Sequence, residues 1–363
     1  MQRVAVTGSS GFVGSHLVDE LARRGLTVLA LDLRPPRAEL PPGARFAPCD
    51  VLAKTSLGRA LQEFEADALV HLAARTDVAA GKGAPSVADY AANDRGVETV
   101  LDVLAKLPAI ERAVLASTIR VWDRAAVPPS DLAFHATTAY GESKVAAEQL
   151  WRRRDGAGKT WLIVRPVTIW GPRMAEHYVH FLRLLRRGLY VHLGGPPLLK
   201  PLGYVENTVH QLACLLAAPH PAVHRRTFFL GDYPSVPLSL WASCFQTAMG
   251  APPIRTLPLP LARLAARAGD TLGGLGLRRI PFDSTRLGNL TLAHGVDYAP
   301  IASLCGAPPL DLESGVQRTL AWLRDDATTT AWWRPRLPPA GDEPLASQSL
   351  GFASGSAWLG PRP

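Results

Sequence analysis

The sequence predicts an α/β fold: a doubly wound parallel sheet with a smaller, mostly helical C-terminal region. Three observations carry this expectation. Short apolar runs alternate with helix-like stretches through the first half of the chain. Those runs are apolar throughout rather than at every second residue, which marks strands covered on both faces. A set of glycines also stands where the first strand turns into the first helix.

The runs, in order, are RVAVTG from Arg3, TVLALD from Thr27, ALVHLAA from Ala68, AVLAST from Ala113 and TWLIVRP from Thr160. Turn or polar residues bound each of them. Between them lie helical segments such as Ser15 to Arg24, Val97 to Lys106 and Ala139 to Arg153. Repeated β-α-β units have right-handed crossovers, so helices cover both faces of a parallel sheet. After about Gly171 the pattern loosens, with GGPP, LPLPL and GAPP interrupting helices at Val205 to Ala218 and Leu238 to Met249. A helix over Leu312 to Arg324 closes this region. From Ala331 the chain is rich in Pro, Gly and Ser without periodicity, the composition of a disordered tail. The expected division is a nucleotide-binding domain over 1–170, to which some later segments return, a substrate-binding region over 171–330, and the tail over 331–363.

Composition narrows the class. Of 363 residues, 47% are hydrophobic and 19% charged, which suits a globular chain with a large core. No apolar run approaches the roughly 18 residues of a membrane span. The N-terminal MQRVAVTG enters a strand directly, without the pattern of a signal peptide. Cys49, Cys214, Cys244 and Cys305 are widely spaced, so neither a metal framework nor disulfides are expected, and a reducing cytoplasm suits them. The net charge is +8, yet the tightest basic cluster, Arg152 to Arg154, sits at a helix end and complements the helix dipole. Nucleic acid is therefore not the expected partner; a phosphate-bearing small molecule accounts for the charge. His177, His180 and His192 are read as surface or cleft residues rather than a metal site. LPLPLARLAA, residues 257–266, is read as a cap over the substrate region in preference to a membrane-surface helix.

The chemistry lies in two motifs. Thr7-Gly8-Ser9-Ser10-Gly11-Phe12-Val13-Gly14 joins the first strand to the first helix. Gly8 permits the tight turn, Gly11 lets backbone approach a pyrophosphate, and Gly14 allows close helix–strand packing. The next strand ends in Asp32, whose carboxylate suits ribose hydroxyls and repels a 2′-phosphate, so NAD is expected over NADP, although Arg34 and Arg37 stand nearby. This is a Rossmann arrangement. In the second motif, Tyr140 and Lys144 are four residues apart at the start of a helix and so share a face. A phenol near pKa 10 is a poor base at neutral pH, and an adjacent cation is expected to favour the phenolate. Ser117-Thr118 ends a strand, where a hydroxyl can bond a substrate oxygen. Tyr140 is thus the expected acid/base, Lys144 its helper, and Thr118 with Ser117 the orienting pair.

With these motifs in place, the chain resembles the extended short-chain dehydrogenases/reductases, in the branch of NAD-dependent epimerases and dehydratases. The resemblance spans roughly residues 2–325 and rests on TGSSGFVGSHL, Asp50-Val51, His71-Leu72-Ala73-Ala74, Asn93, Ser117-Thr118, YGESK and RPVTIWGPR from Arg165. It implies a cofactor site that adds Ser10, Phe12 and Val13 in the glycine turn, Asp50 and Val51 at the adenine, Leu72, Ala73 and Ala74 along the cofactor, Asn93, and Arg165-Pro166 beside the nicotinamide. It also implies substrate contacts from Arg75, Thr168, Lys200 and Tyr204. Lys200 stands where relatives often carry a phosphate-binding Arg, and Thr168 where many have Asn. Ile119 and Arg120 occupy positions that are Asp-Glu in sugar dehydratases, which argues against 4,6-dehydration. The resemblance implies a sugar-nucleotide epimerase holding NAD, able to form a homodimer. A ketoreductase or dehydrogenase of a sugar, sterol or other alcohol is the alternative, and a non-catalytic NAD-binding regulator is a third.

Overall fold

The computed structural model describes residues 1–76, 85–274, 283–291 and 293–325; the expected tail over 331–363 lies outside them. The elements run β1 (Arg3–Thr7), α1 (Phe12–Arg23), β2 (Thr27–Asp32), β3 (Ala44–Pro48), α2 (Lys54–Phe64), β4 (Ala68–His71), α3 (Ala91–Leu104), β5 (Arg112–Ala116), α4 (Ala139–Arg153) and β6 (Thr160–Pro166). They continue with β7 (Thr168–Trp170), α5 (Glu176–Arg186), β8 (Val191–Leu193), β9 (Leu202–Tyr204), α6 (Val205–Ala217), α7 (His220–Val223), β10 (Arg226–Leu230), α8 (Leu238–Ala248), β11 (Arg255–Leu257), α9 (Leu259–Gly274), α10 (Ser284–Thr291), α11 (Ala299–Cys305) and α12 (Leu312–Asp325).

Seven parallel strands form the central sheet in the order β10-β6-β5-β4-β1-β2-β3. Alternate residues of each strand feed opposite cores, which is why the strands read as unbroken apolar runs. Val4, Val6, Val28 and Ala30 point to a core shared with Leu17 and Leu21 of α1 and Leu212 of α6. Ala5, Leu29 and Leu31 point to the other core, with Leu57 of α2, Val97 and Leu101 of α3, and Trp151 of α4. The chain order reverses between β1 and β4, and the crevice outside the C-terminal strand ends at such a point is where α/β sheets bind ligands.

Later segments return to the first region, as the sequence division allows. β10 completes the sheet beside β6, and α6 and α11 pack into the α1 side of the core. Sequence reading missed β3, α2 and β10. β3 is an edge strand with half-exposed residues, so it lacks the apolar run of its neighbours. The rest of the C-terminal region is built on a separate core of Trp170, Leu182, Trp241, Phe245 and Leu320.

Candidate active site

The turn from β1 to α1 needs its glycines. Gly8 has φ +72°, and a Cβ there would lie 2.6 Å from the backbone nitrogen of Ala73. A Cβ on Gly14 would lie 2.0 Å from the carbonyl oxygen of Gly8. Gly11 is the N-cap of α1 and brings no side chain to its first N–H groups, which leaves them directed at an anion. Asp32, at the end of β2, accepts from the Ser10 N–H at 3.0 Å and the Arg34 N–H at 3.1 Å, while Ser10 Oγ donates to the Arg34 carbonyl at 2.6 Å. The carboxylate therefore fixes the glycine turn from the end of β2. Thr7 Oγ1 accepts from the Ala73 N–H at 3.3 Å and pairs with His71 Nδ1 at 2.8 Å. This ties the end of β4, with Leu72 and Ala73, against Gly8. Burial pushes His71 down to about 3, with the Lys144 charge adding to the fall, so this imidazole is a neutral strut. The cradle of glycine backbone, free helix N-terminus and ribose-facing carboxylate fits a dinucleotide.

α4 starts where it does because Thr138 caps it, its hydroxyl accepting from the Gly141 N–H at 3.1 Å. That places Tyr140 and Lys144 in the first turns, facing the sheet. Tyr140 is 8% exposed, Lys144 3% and Thr118 7%. The Thr118 hydroxyl lies on the Tyr140 side of this buried group and favours the ionised phenol. Lys144 Nζ donates to the Ala116 carbonyl at 2.9 Å, at the end of β5. Among the described residues Ser117 Oγ is buried without a hydrogen-bond partner.

The electrostatics differ from the sequence expectation. Burial pushes the Tyr140 phenol up to about 12. The Thr118 hydroxyl and the Arg120 guanidinium pull it down, and Tyr90, with its ring centroid 6.0 Å away, adds to the rise. Burial pushes Lys144 itself down to about 8, against the pull of Glu148. The nearby cation that counts is Arg120, which sequence reading noted only as the residue replacing a dehydratase acid. Arg120 pairs with Asp123 at 3.2 Å. Asp123 also accepts from Thr137 and faces His294 Nε2 at 3.1 Å, so a residue from far along the chain braces the loop carrying Arg120. Burial, then the Arg120 charge, push Lys200 down to about 8, which places the two cations within each other's field. The pairing of β7 with β9 brings Lys200 to this side, with Thr168 opposite Leu202.

Five expected site residues make contacts within the chain. The Arg165 side chain is wholly buried and donates from Nε and Nη2 to both Glu148 oxygens, at 2.9 and 2.8 Å, leaving only backbone and Pro166 near the cofactor. Asn93 is also wholly buried; its Oδ1 accepts from the Arg75 N–H and its Nδ2 donates to the Arg75 carbonyl and Ser143 Oγ. It latches the loop after β4, residue 75 included, to the catalytic helix rather than touching ligand. Tyr204, 1% exposed, packs 4.9 Å from Trp170 and donates to Glu206, so it belongs to the second core and not to a substrate surface. Val51 packs against Gly96, and Asp50 Oδ1 accepts from the Leu52 N–H at 2.9 Å, shaping the turn beyond β3.

Comparison with known proteins agrees with this geometry. Residues 4–231 match the model of the NAD dependent epimerase/dehydratase family. An Escherichia coli O157:H7 protein named N-acetyl-alpha-D-glucosaminyl-diphospho-ditrans,octacis-undecaprenol 4-epimerase is 25% identical over 88% of this chain and 94% of its own. A ketoreductase of Stigmatella aurantiaca, acting on a 3-oxo-farnesyl-dihydroquinoline oxide, is 28% identical over 74% of this chain and 80% of its own. Among solved structures, the UDP-glucuronic acid 4-epimerase of Bacillus cereus superposes with a TM-score of 0.67 at 18% identity, covering 89% of this chain and 99% of that one.

Proposed function

The chain belongs to the NAD dependent epimerase/dehydratase family, and from that premise we propose that it inverts a secondary alcohol of a sugar carried on a diphosphate, a nucleotide sugar or its polyprenol-linked counterpart. It is an enzyme and its cofactor is NAD, which when bound takes a hydride from carbon and returns it. The observation that carries the reading is the joint burial of Thr118, Tyr140 and Lys144, with Lys144 anchored on the Ala116 carbonyl at the C-terminal end of β5. Tyr140 takes the proton of the sugar hydroxyl as the carbon is oxidised, and returns it when the keto sugar is reduced on its other face. Thr118 Oγ1 orients the oxygen. Lys144, anchored on the Ala116 carbonyl, fixes the pose of the catalytic turn and supplies an ammonium next to the nicotinamide ribose. Lys200 and Arg120 bring positive charge to the same cleft, as a diphosphate-bearing substrate requires. The 4-epimerase relative of Escherichia coli, whose own substrate is a sugar on diphospho-undecaprenol, supports both the diphosphate and the inversion.

The ketoreductase relative favours a second reading, net reduction of a ketone with exchange of the cofactor. One experiment separates them. The purified protein is denatured, released nicotinamide is quantified, and the native protein is incubated with UDP-glucose, UDP-N-acetylglucosamine and a polyprenyl-diphosphate sugar while epimers and NADH are followed. Retained NAD and an equilibrium mixture of epimers support inversion. Stoichiometric consumption of added NAD(P)H, with no epimer formed, overturns it.

A further inference from the structure

Two of the four cysteines meet at the seam between α6 and α11, on the face of the sheet opposite the catalytic helix α4. Cys305, the last residue of α11, holds its Sγ 4.0 Å from the Gln211 carbonyl oxygen of α6. Cys214 lies three residues further along α6, and its Sγ is 3.4 Å from His210 Nε2. Helical side chains lean toward the helix N-terminus, so the Cys214 sulfur lies over the turn of residues 210 and 211 that Cys305 also touches. Both thiols are free and half-buried. On the other side of the imidazole, His210 Nδ1 is 2.9 Å from Arg24 Nη2, and Arg24 Nε donates to Glu20 at 2.7 Å. A guanidinium offers only donors, so Nδ1 accepts and the neutral imidazole carries its proton on Nε2, aimed at Cys214 Sγ. The sulfur is then the acceptor, a place that a thiolate fills better than a thiol. The Cys305 thiol is the strongest influence on Cys214 and, with the His210 and Arg24 charges, pulls it down to about 6 against burial. Cys305 is itself pushed up, first by Cys214 and then by burial. Cys49 and Cys244 have no such setting, and burial pushes both up. Cys214 and Cys305 are far apart in sequence, so spacing alone shows no pair.

We infer that this seam is a modification site for hydroperoxides, with Cys214 the attacking sulfur, Cys305 the resolving one, and a disulfide that fastens α11 to α6 as the product. In the first step the Cys214 thiolate attacks one peroxide oxygen. An S–O bond forms and the O–O bond breaks, so sulfur is oxidised to the sulfenic acid as the peroxide is reduced. The second peroxide oxygen leaves as alkoxide or hydroxide and is protonated from solvent, which had received the thiol proton. In the second step the Cys305 sulfur attacks the Cys214 sulfur. The S–S bond forms, the S–O bond breaks, and water leaves with the Cys305 proton. Two thiols and one hydroperoxide thus become one disulfide, one alcohol or water, and one further water. Exchange with an external thiol reverses the bridge, and a reducing compartment suits such a reversible pair.

Peptide mapping of the wild-type protein tests this without any turnover. The full-length protein is reduced, freed of reductant, exposed to a few equivalents of hydrogen peroxide, blocked with N-ethylmaleimide and digested. Mass spectrometry should find the Cys214 and Cys305 peptides joined, with Cys49 and Cys244 carrying maleimide. Dithiothreitol added before blocking should restore all four thiols. In the native, reduced protein at pH 7, iodoacetamide should label Cys214 about tenfold faster than Cys244, because an ordinary thiol is only a few per cent ionised there. H210L should slow that labelling several-fold and leave the rate at Cys244 unchanged. In C305S, peroxide should leave a sulfenic acid on Cys214 that dimedone captures, and in C214S Cys305 should stay reduced. The wild-type map and rates decide the matter even where a variant fails to fold. Oxidation spread evenly over the four cysteines, no Cys214–Cys305 bridge in the wild type, or labelling of Cys214 no faster than of Cys244 would overturn the inference.

Discussion

Helices α1 and α9 are both amphipathic in sequence, yet they use their large residues in opposite ways. In α1, Leu17, Val18 and Leu21 are buried against the sheet. In α9 Leu261, Leu264 and Leu272 are outside, and Ala262 and Ala266 inside. The same 3.6-residue periodicity therefore reports a core-facing stripe in one region and a solvent-facing one in the other. What differs is the partner. The sheet offers a broad apolar floor on which large side chains fit, whereas α9 meets a small cluster around Leu287 of α10, where Ala262 and Ala266 are its buried residues. The two regions also treat charge differently. The first buries charged groups and pairs them, as in Arg165–Glu148, and the second leaves Arg255, Arg263 and Arg267 at the surface.

This contrast can be attacked from the catalytic wall outward. Tyr140→Phe keeps the ring and its packing but removes the proposed proton carrier, so turnover on the identified substrate should fall by about 10²–10⁴-fold. NAD released on denaturation should remain at the wild-type level. A variant with near-full turnover would move the acid/base role elsewhere in the cleft.

Arg165→Leu should be the most damaging change to stability. It leaves the fully buried Glu148 carboxylate without its bidentate partner, and such breaks cost about 3–5 kcal/mol. Urea unfolding measures it; a loss under 1 kcal/mol would show that the first region does not depend on paired buried charge. The double variant Arg165→Leu/Glu148→Leu should recover part of the loss.

His71 gives a smaller, pH-dependent effect. Its folded pKa is depressed to about 3, so between pH 6.5 and about 3 the unfolded chain binds a proton that the folded chain refuses. Its contribution to stability is whole above pH 6.5 and is lost as pH falls. Over that window the wild type should lose stability relative to His71→Gln at up to about 1.4 kcal/mol per pH unit. Unfolding midpoints at pH 7, 6 and 5 provide the check, and parallel curves would mean that His71 is charged in the fold.

The smallest effect belongs to α9. Leu261→Ser with Leu264→Ser should change stability by no more than about 0.5 kcal/mol, because neither side chain leaves a core. A loss of 2 kcal/mol or more would place these leucines in a packed interface within the chain and erase the contrast.

Local chemistry set what could be read in advance. The glycine turn, Asp32 and the Tyr140–Lys144 pair are each specified within a few residues, by steric need at a turn or by the i, i+4 geometry of a helix. The apolar runs identified β1, β2, β4, β5 and β6, because strands buried on both faces have no polar side. By itself the sequence thus determined a doubly wound sheet, the glycine turn between its first strand and helix, and the placement of Tyr140 and Lys144 on one helix face. Tertiary structure alone decided where side chains point once several partners compete for them. Arg165 turns to Glu148, Asn93 to Arg75 and Ser143, and Tyr204 to Glu206 and Trp170, because buried polar groups must be paired and the partners come from elsewhere in the chain. It also decided that burial pushes the Tyr140 phenol up while Arg120 pulls it down, and that His294, 171 residues from Asp123, braces the loop carrying that cation. Desolvation and long-range pairing depend on the assembled surroundings, and no motif of a few residues encodes them.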